Sequence, residues 1–331
     1  MPCIFRIIAT ALLLVTSSSA DTASYAVTPH ADGFRGIWFD LGQKSEFGSK
    51  YSGGLGTYTS NHVPMAHYVE KVNRTYFTWG GTPDGKQRRL HILVSYYDHS
   101  TGKVARPVTI MDKSPVDDPH DNGSMSIDEH GHLWIFVSGR SRLRPSVIYR
   151  SKTPNEINEW LNLGDSEFTY PQPWWFPGKG FLHTYTRYTP GRELFYRTSS
   201  DGITWDTERK LAGLEGHYQT SAQIGDRLIT AFNRHPKRVV DQRTDLYYME
   251  TSDMGKTWTK QSDVTRNSPR NHSYARRPQN AHPDFYAYWA DGNTDQFSES
   301  HLYYTNRTGD KVWHLPYNMT EDFAAPELVK P

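Results

Sequence analysis

Leu228-Ile-Thr-Ala-Phe232, the aromatic Tyr248 and the turn Thr251-Ser-Asp253-Met-Gly255-Lys-Thr257-Trp258 are one unit of a pattern that recurs along the chain. The unit reads as an aromatic-rich strand, a polar loop, a second aromatic strand and a tight turn. Equivalent first strands are Thr75-Tyr-Phe-Thr-Trp79, Leu133-Trp-Ile-Phe-Val137, Phe181-Leu-His-Thr-Tyr185 and Phe285-Tyr-Ala-Tyr-Trp289. The second strands carry Tyr97, Tyr149, Tyr196, Tyr248 and Tyr304. These tyrosines lie roughly 50 residues apart, within the range of a propeller blade.

The turn at Asp253 is a full Asp-box, and Ser199-Ser-Asp201-Gly202-Ile-Thr204-Trp205 is the form one residue shorter. The aspartate can accept backbone N–H groups inside the hairpin, glycine supplies positive φ, and the tryptophan packs beneath. Such boxes speak to architecture, not to catalysis. The expected fold is all-β: a β-propeller with five clear four-stranded blades plus an N-/C-terminal closing segment. In that closure, residues 33–40 and 51–60 pair with a strand near 312–315. Residues 154–163 are the best short helix candidate. No linker divides the chain, so residues 21–331 are expected to form a single propeller domain.

Composition narrows the partners. With 37 basic and 36 acidic residues the net charge is +1, which gives no footprint for nucleic acid or an anionic membrane. Residues 1–20 read as a signal peptide: an apolar run from Ile7 to Val15, then small residues ending at Ala20. The expectation is a secreted monomer (extracellular or periplasmic) with no membrane anchor. The single cysteine, Cys3, lies inside that signal. The mature chain then has no disulfide and no thiol ligand for zinc. No cofactor is required, although a structural cation is compatible with the sequence. His272, His282 and Asp284 have no diagnostic metal-ligand spacing.

Strand ends of a propeller converge near its axis, so equivalent polar residues of successive blades can share one site. His120, Tyr170 and Tyr218 sit at similar phases of their blades, and Arg140, Arg187 and Arg234 do so one strand further on. Asn122, His183, His217 and Tyr185 lie close to these positions in sequence. Arginines with His and Tyr, and few carboxylates, suit an anionic sugar, because a guanidinium pairs a carboxylate in bidentate fashion. Pairing also acidifies the α-proton of a uronate, which His or Tyr could then remove. That chemistry is β-elimination. Asp117 and Asp118 form a weaker pair for glycoside hydrolysis, because adjacent strand residues point to opposite faces. A sialidase-like hydrolase remains an alternative, although Phe34-Arg35-Gly36 does not supply its Phe-Arg-Ile-Pro motif. A non-catalytic glycan-binding propeller is the other.

The runs GFRGIWFDLGQ (33–43), KYSGGLGTYTSNHVPMAHY (50–68), DDPHDNGSMSID (117–128), YPQPWW (170–175), GHYQTS (216–221), RRPQNAHPDFYAYWADG (276–292) and VWHLP (312–316) resemble the BNR-4-repeat propellers. That family includes the ulvan lyases of polysaccharide lyase families 24 and 25. The resemblance covers nearly all of the chain after the signal. It implies cleavage of ulvan between sulfated rhamnose and a uronic acid, on a propeller of roughly seven blades. It also implies roles. His120 resembles the catalytic histidine, and Tyr218 resembles the acid/base tyrosine of one lyase family, with Tyr185 the candidate by comparison with the other. Arg234 resembles the arginine that neutralises the uronate. Arg140 stands where some relatives have a second active-site histidine. Relatives carry roughly two more blades between the equivalents of Trp258 and Arg270 than this chain has room for.

Overall fold

The aromatic strands of the repeat are strands of successive antiparallel sheets, and the tight turns close them. The computed structural model describes residues 25–36, 38–40, 44–45, 48–49, 52–84, 87, 89–101, 103–188, 192–212, 215–239, 242–264, 271–272, 283–284, 286–292, 302–315 and 325–329. The described chain is all-β, with antiparallel sheets and only short 3-10 turns as helical elements. Sheet 1 runs through Ala66–Val69, Arg74–Gly81, His91–Asp98 and Val108–Asp112; sheet 2 through Gly123–Ile127, Leu133–Val137, Ser146–Ser151 and Glu159–Ser166. Sheet 3 has Thr169–Phe176, Gly180–Arg187, Glu193–Ser199 and Arg209–Lys210; sheet 4 has Gly216–Ile224, Arg227–Arg234, Thr244–Thr251 and Thr259–Asp263. Sheet 5 has Asn271–His272, Ala287–Gly292, Leu302–Thr305, Val312–His314 and Glu327–Val329. The repeat read from sequence is thus one strand out of phase. Its first strands are the second strands of the sheets, and its five tyrosines lie on the third.

Each sheet packs face to face on the next. Ile92, Val94 and neighbours meet Leu133, Ile135 and Trp160 between sheets 1 and 2. Trp134, Phe136, Phe168 and Phe181 fill the gap between sheets 2 and 3. Leu182, Leu194, Leu228 and Phe232 fill the next, and Leu246 with Val312 joins sheets 4 and 5. Phe181 and Leu182 are neighbours that serve opposite interfaces, because successive strand side chains point to opposite faces. Burying such a side chain contributes about 1.5–3 kcal/mol, so the stack stands on its cores.

The first strands meet on the inside. Gln172 Nε2 donates to the carbonyls of Asn61 and Gln219 at 3.1 and 2.7 Å. Asn61 Nδ2 donates to Gln219 O at 2.8 Å, and Ser124 Oγ donates to Pro171 O at 2.6 Å. The segment before sheet 1 therefore sits among the inner strands of sheets 2 to 4.

Two expectations change. Val312–His314 pairs with Leu302–Thr305 and Glu327–Val329, while Trp38–Asp40 pairs with Ser52–Gly54. The described residues therefore show no pairing between N- and C-terminal segments. A hairpin across the short 306–311 turn closes a smaller loop and loses less chain entropy, and Trp313 stacks on Tyr304 at 4.9 Å to seal it. The N-terminal strand Ala26–Val27 instead adds to the edge of sheet 2. Residues 154–163 are a turn leading into the strand Glu159–Ser166, where Trp160 and Leu161 bury against neighbouring strands. Residues 1–20, His282 and much of 265–301 lie outside the described residues.

Candidate active site

The DPHD run forms a 3-10 turn, Pro119–Asp121, capped by Asp118. Asp118 Oδ1 accepts from the backbone N–H of His120 at 3.0 Å and contacts its Nδ1 at 2.5 Å. Its other oxygen accepts from Arg140 Nη1 at 2.9 Å and Arg144 Nη2 at 3.0 Å. Burial alone would raise the Asp118 carboxyl. The hydrogen bonds and charge of His120, with Arg140, outweigh that and hold it well below the usual carboxylate range. The carboxylate thus fixes Nδ1 of His120 as a donor and leaves Nε2 facing outward from the pair.

Beneath lies a second ion pair. Lys113 Nζ meets Asp121 Oδ2 at 2.8 Å and donates to Ser138 O at 2.6 Å, and Arg144 reaches Asp121 Oδ1 at 2.9 Å. Burial dominates here: it lowers Lys113 and raises Asp121 despite their attraction. Removing one partner of such a pair costs about 3–5 kcal/mol. Asn122 is also buried, and its amide braces the carbonyls of Leu55 and Tyr58 at 2.7 and 2.8 Å.

Two bulges complete the floor. In sheet 3 the register slips between Thr169 and Gln172, and in sheet 4 between His217 and Thr220. Tyr170 and Tyr218 occupy these equivalent bulges with φ of 54° and 50°. A non-glycine residue there costs on the order of 1–3 kcal/mol, and such strain clusters at functional sites. The rings form a chain: His120 to Tyr170 is 6.0 Å and Tyr170 to Tyr218 is 6.1 Å between centroids. Tyr170 is the buried middle member, and its hydroxyl has no hydrogen-bond partner among the described residues. Burial, then Tyr188 and Tyr218, push its phenol well above the ordinary value, so it stays protonated. His217 stacks flat on Tyr218 at 4.3 Å and is fully buried, with neither ring nitrogen hydrogen-bonded among the described residues. Burial, reinforced by Arg192, keeps it neutral. His62 lies 5.6 Å from Tyr170; it accepts from Thr59 N–H and faces His120 O at 3.1 Å. Burial lowers it to about 3.

Arginines rim this floor. Arg140 is a third exposed, and its guanidinium lies 5.6 Å from the Tyr188 ring. Arg192 covers the same ring at 4.6 Å and donates to its hydroxyl, while Arg243 covers Tyr218 at 4.6 Å. Arg144, Arg192 and Arg243 each lie at the entry to the third strand of their sheet. The sequence places the candidate arginines at the end of the second strand, which leaves out Arg192 and Arg243, as well as His62 and Tyr188, and it offers Asp118 only as half of a carboxylate pair. Their recurrence at the repeat's period of roughly 50 residues was the available signal.

Of the sequence candidates, His120, Tyr218, His217 and Arg140 come together, with Asn122 buttressing them. Tyr185, His183 and Arg187 do not join them. These three share one face of the strand Gly180–Arg187, which packs toward sheet 2. His183 is enclosed by Phe136, Phe168, Tyr185 and Trp205. Tyr185 donates to Glu208 at 2.7 Å and burial raises it to about 12. Arg187 pairs with Glu208 and Glu167. Arg234 is exposed at the end of its strand. No group of three or more metal-ligating side chains gathers among the described residues.

Residues 74–275 match the BNR repeat-containing family. No curated protein matches the chain. Among solved structures, a polysaccharide lyase PL25 ulvan lyase bound to -[GlcA(1-4)Rha3S]- is similar with a TM-score of 0.56 at 14% identity, over 81% of this chain and 70% of the other. The polysaccharide lyase Uly1 is similar with a TM-score of 0.53 at 10% identity, over 92% of this chain and 90% of the other. These likenesses establish a shared fold.

Proposed function

The chain belongs to the BNR repeat-containing family, and on that footing we propose that it is a secreted polysaccharide lyase whose sheets are blades of a propeller. The substrate class is a sulfated polysaccharide containing uronic acid, of the ulvan kind. The observation that carries this reading is the oriented Asp118–His120 pair at one end of a row of rings that runs through a protonated Tyr170 to Tyr218, under a rim of arginines. The fold shared with ulvan lyases supports it.

In this reading the uronate carboxylate lies against Arg140 and Arg192. Charge pairing there stabilises the enolate-like transition state. Nε2 of His120 removes the proton on C5. The electrons form the C4=C5 bond as the C4–O4 bond breaks, and the Tyr218 hydroxyl gives its proton to the departing oxygen. His120 then returns its proton to water and Tyr218 regains one. The balance closes with no cofactor. His120 and Tyr218 each keep 8% of their surface exposed, whereas Tyr170 keeps 2%, so the first two are the groups that meet substrate. Tyr185 and Arg234 hold their family-implied roles only if substrate binding moves them, since the former is locked on Glu208.

The test is incubation with ulvan while following the ultraviolet absorbance of the conjugated C4=C5 uronate product. Absorbance should rise, and His120→Ala and Tyr218→Phe should each cut the rate by about a hundredfold or more. New reducing ends without absorbance would replace the lyase reading with a hydrolase. Binding without either product would make the protein a glycan-binding propeller.

A further inference from the structure

The His120 floor lies where the first strands begin and the second-to-third turns close. The opposite end of the same sheets carries the first-to-second and third-to-fourth turns, including both Asp-boxes. There, the turn at Lys179 and the two boxes of sheets 3 and 4 enclose a cavity of about 560 Å³. Its lining includes Lys179, Lys256, Ser200, Thr204, Asp206 and Asp253.

These turns are rigid. Asp253 accepts from the Thr257 N–H at 2.9 Å and from its hydroxyl at 2.6 Å. Asp206 accepts from Thr198 Oγ1 at 2.5 Å, and the N–H of Gly178, beside Lys179, donates to Glu129 at 2.6 Å. The carboxylates are thus tied into their own turns, while both lysines are exposed and carry no ion pair among the described residues. The two carboxylates balance the two ammonium groups in formal charge, but lone pairs of both are engaged by their own turns, which leaves the lysines as the point charges that can pair with an anion. Bound carboxylates retain lone pairs that can accept sugar hydroxyls, and serine and threonine can donate to ring oxygens. No aromatic ring lines the cavity among the described residues, so recognition there is by charge and hydrogen bonds. Pre-ordered walls lower the entropy cost of binding. Volumes of about 300–1,000 Å³ are those of small-molecule sites.

We infer that this cavity is a second carbohydrate-binding site, which takes an anionic pyranose unit with its sulfate ester on Lys179 and Lys256. It rests on the proposal that the substrate is an anionic polysaccharide. Holding the polymer at the far end of the sheets raises its effective concentration at the His120 end without a new catalytic group.

The experiment is calorimetric titration of the His120→Ala protein, which keeps the ligand intact, with a sulfated tetrasaccharide of the GlcA–Rha3S repeat. The same titration is run with the desulfated tetrasaccharide and with inorganic sulfate. The expected result is two binding sites, of which K179A/K256A on that background removes one and K179R/K256R retains it. At the lysine site the desulfated sugar should bind at least fivefold more weakly. Unchanged stoichiometry in K179A/K256A overturns the site, as does inorganic sulfate binding there as tightly as the sugar. If lysine-dependent binding persists in a protein that never cleaves ulvan, the cavity stands and the lyase reading falls. Cleavage with lysine-independent binding gives the reverse.

Discussion

His120 owes its orientation to a carboxylate that two arginines also hold. Asp118 joins His120, Arg140 and Arg144 through both of its oxygens, so its charge is stabilised and its position over-determined. Asp118→Asn keeps the shape but replaces an acceptor with a group that cannot neutralise two guanidinium ions. The expected outcome is a fall in kcat of about a hundredfold with KM nearly unchanged, read from initial rates on ulvan, because Asp118 acts through His120 and does not touch the sugar. A comparable rise in KM would make it a binding residue instead. Little of this was legible beforehand. His120 and Tyr218 stood out because they recur at one phase of the repeat. Asp118 did not, because beside Asp117 it reads as half of a carboxylate pair. The residue that matters is the one the 3-10 turn folds back onto His120.

At the scale of the strand and its turn, the Asp-boxes were readable in full. Asp201 accepts from the N–H groups of Ile203 and Thr204 at 2.8 and 2.7 Å, and Trp205 Nε1 donates to Gly202 O at 3.1 Å. Trp258 packs on Tyr196 at 5.4 Å. Gly255 has φ of 77°, and a Cβ there would come within 2.7 Å of the Tyr196 ring. Gly255→Ala should therefore destabilise by about 2–4 kcal/mol, combining backbone strain and overpacking. Gly225, with φ of 59° and open space around it, should cost only about 1 kcal/mol as alanine. Urea denaturation of the two variants checks the difference; equal losses would show that the box is not packed as described. The phase of the repeat was not readable from these turns, because a turn marks where a hairpin ends but not which strand of a sheet comes first.

Across the whole molecule, buried neutral histidines tie stability to pH. His62, His183 and His217 are enclosed, and burial lowers each, His62 to about 3. An unfolded histidine takes up a proton near pH 6.5, while these three stay neutral in the folded chain. A lowered folded value gives stability that is complete above the unfolded value and is lost as pH falls. Each histidine should therefore contribute a slope of about 1.4 kcal/mol per pH unit below that range. Denaturation between pH 7.5 and 4.5 should show this loss, and His183→Phe should flatten it; an unchanged slope would place the proton uptake elsewhere. The sequence by itself determined the all-β class, the repeat and its turns, because strand alternation, aromatic spacing and glycine positions are local and periodic. It also marked His120 and Tyr218, whose phase follows from that period. Only the tertiary structure decided that His62, Arg192 and Arg243 join them and Tyr170, and that Tyr185, His183 and Arg187 face a neighbouring sheet. It likewise decided that the strand at Val312 pairs within its own sheet. The reason is geometric: a period fixes how far along a sheet a residue lies, but the face it presents and the sheet it meets depend on bulges and on packing between distant strands.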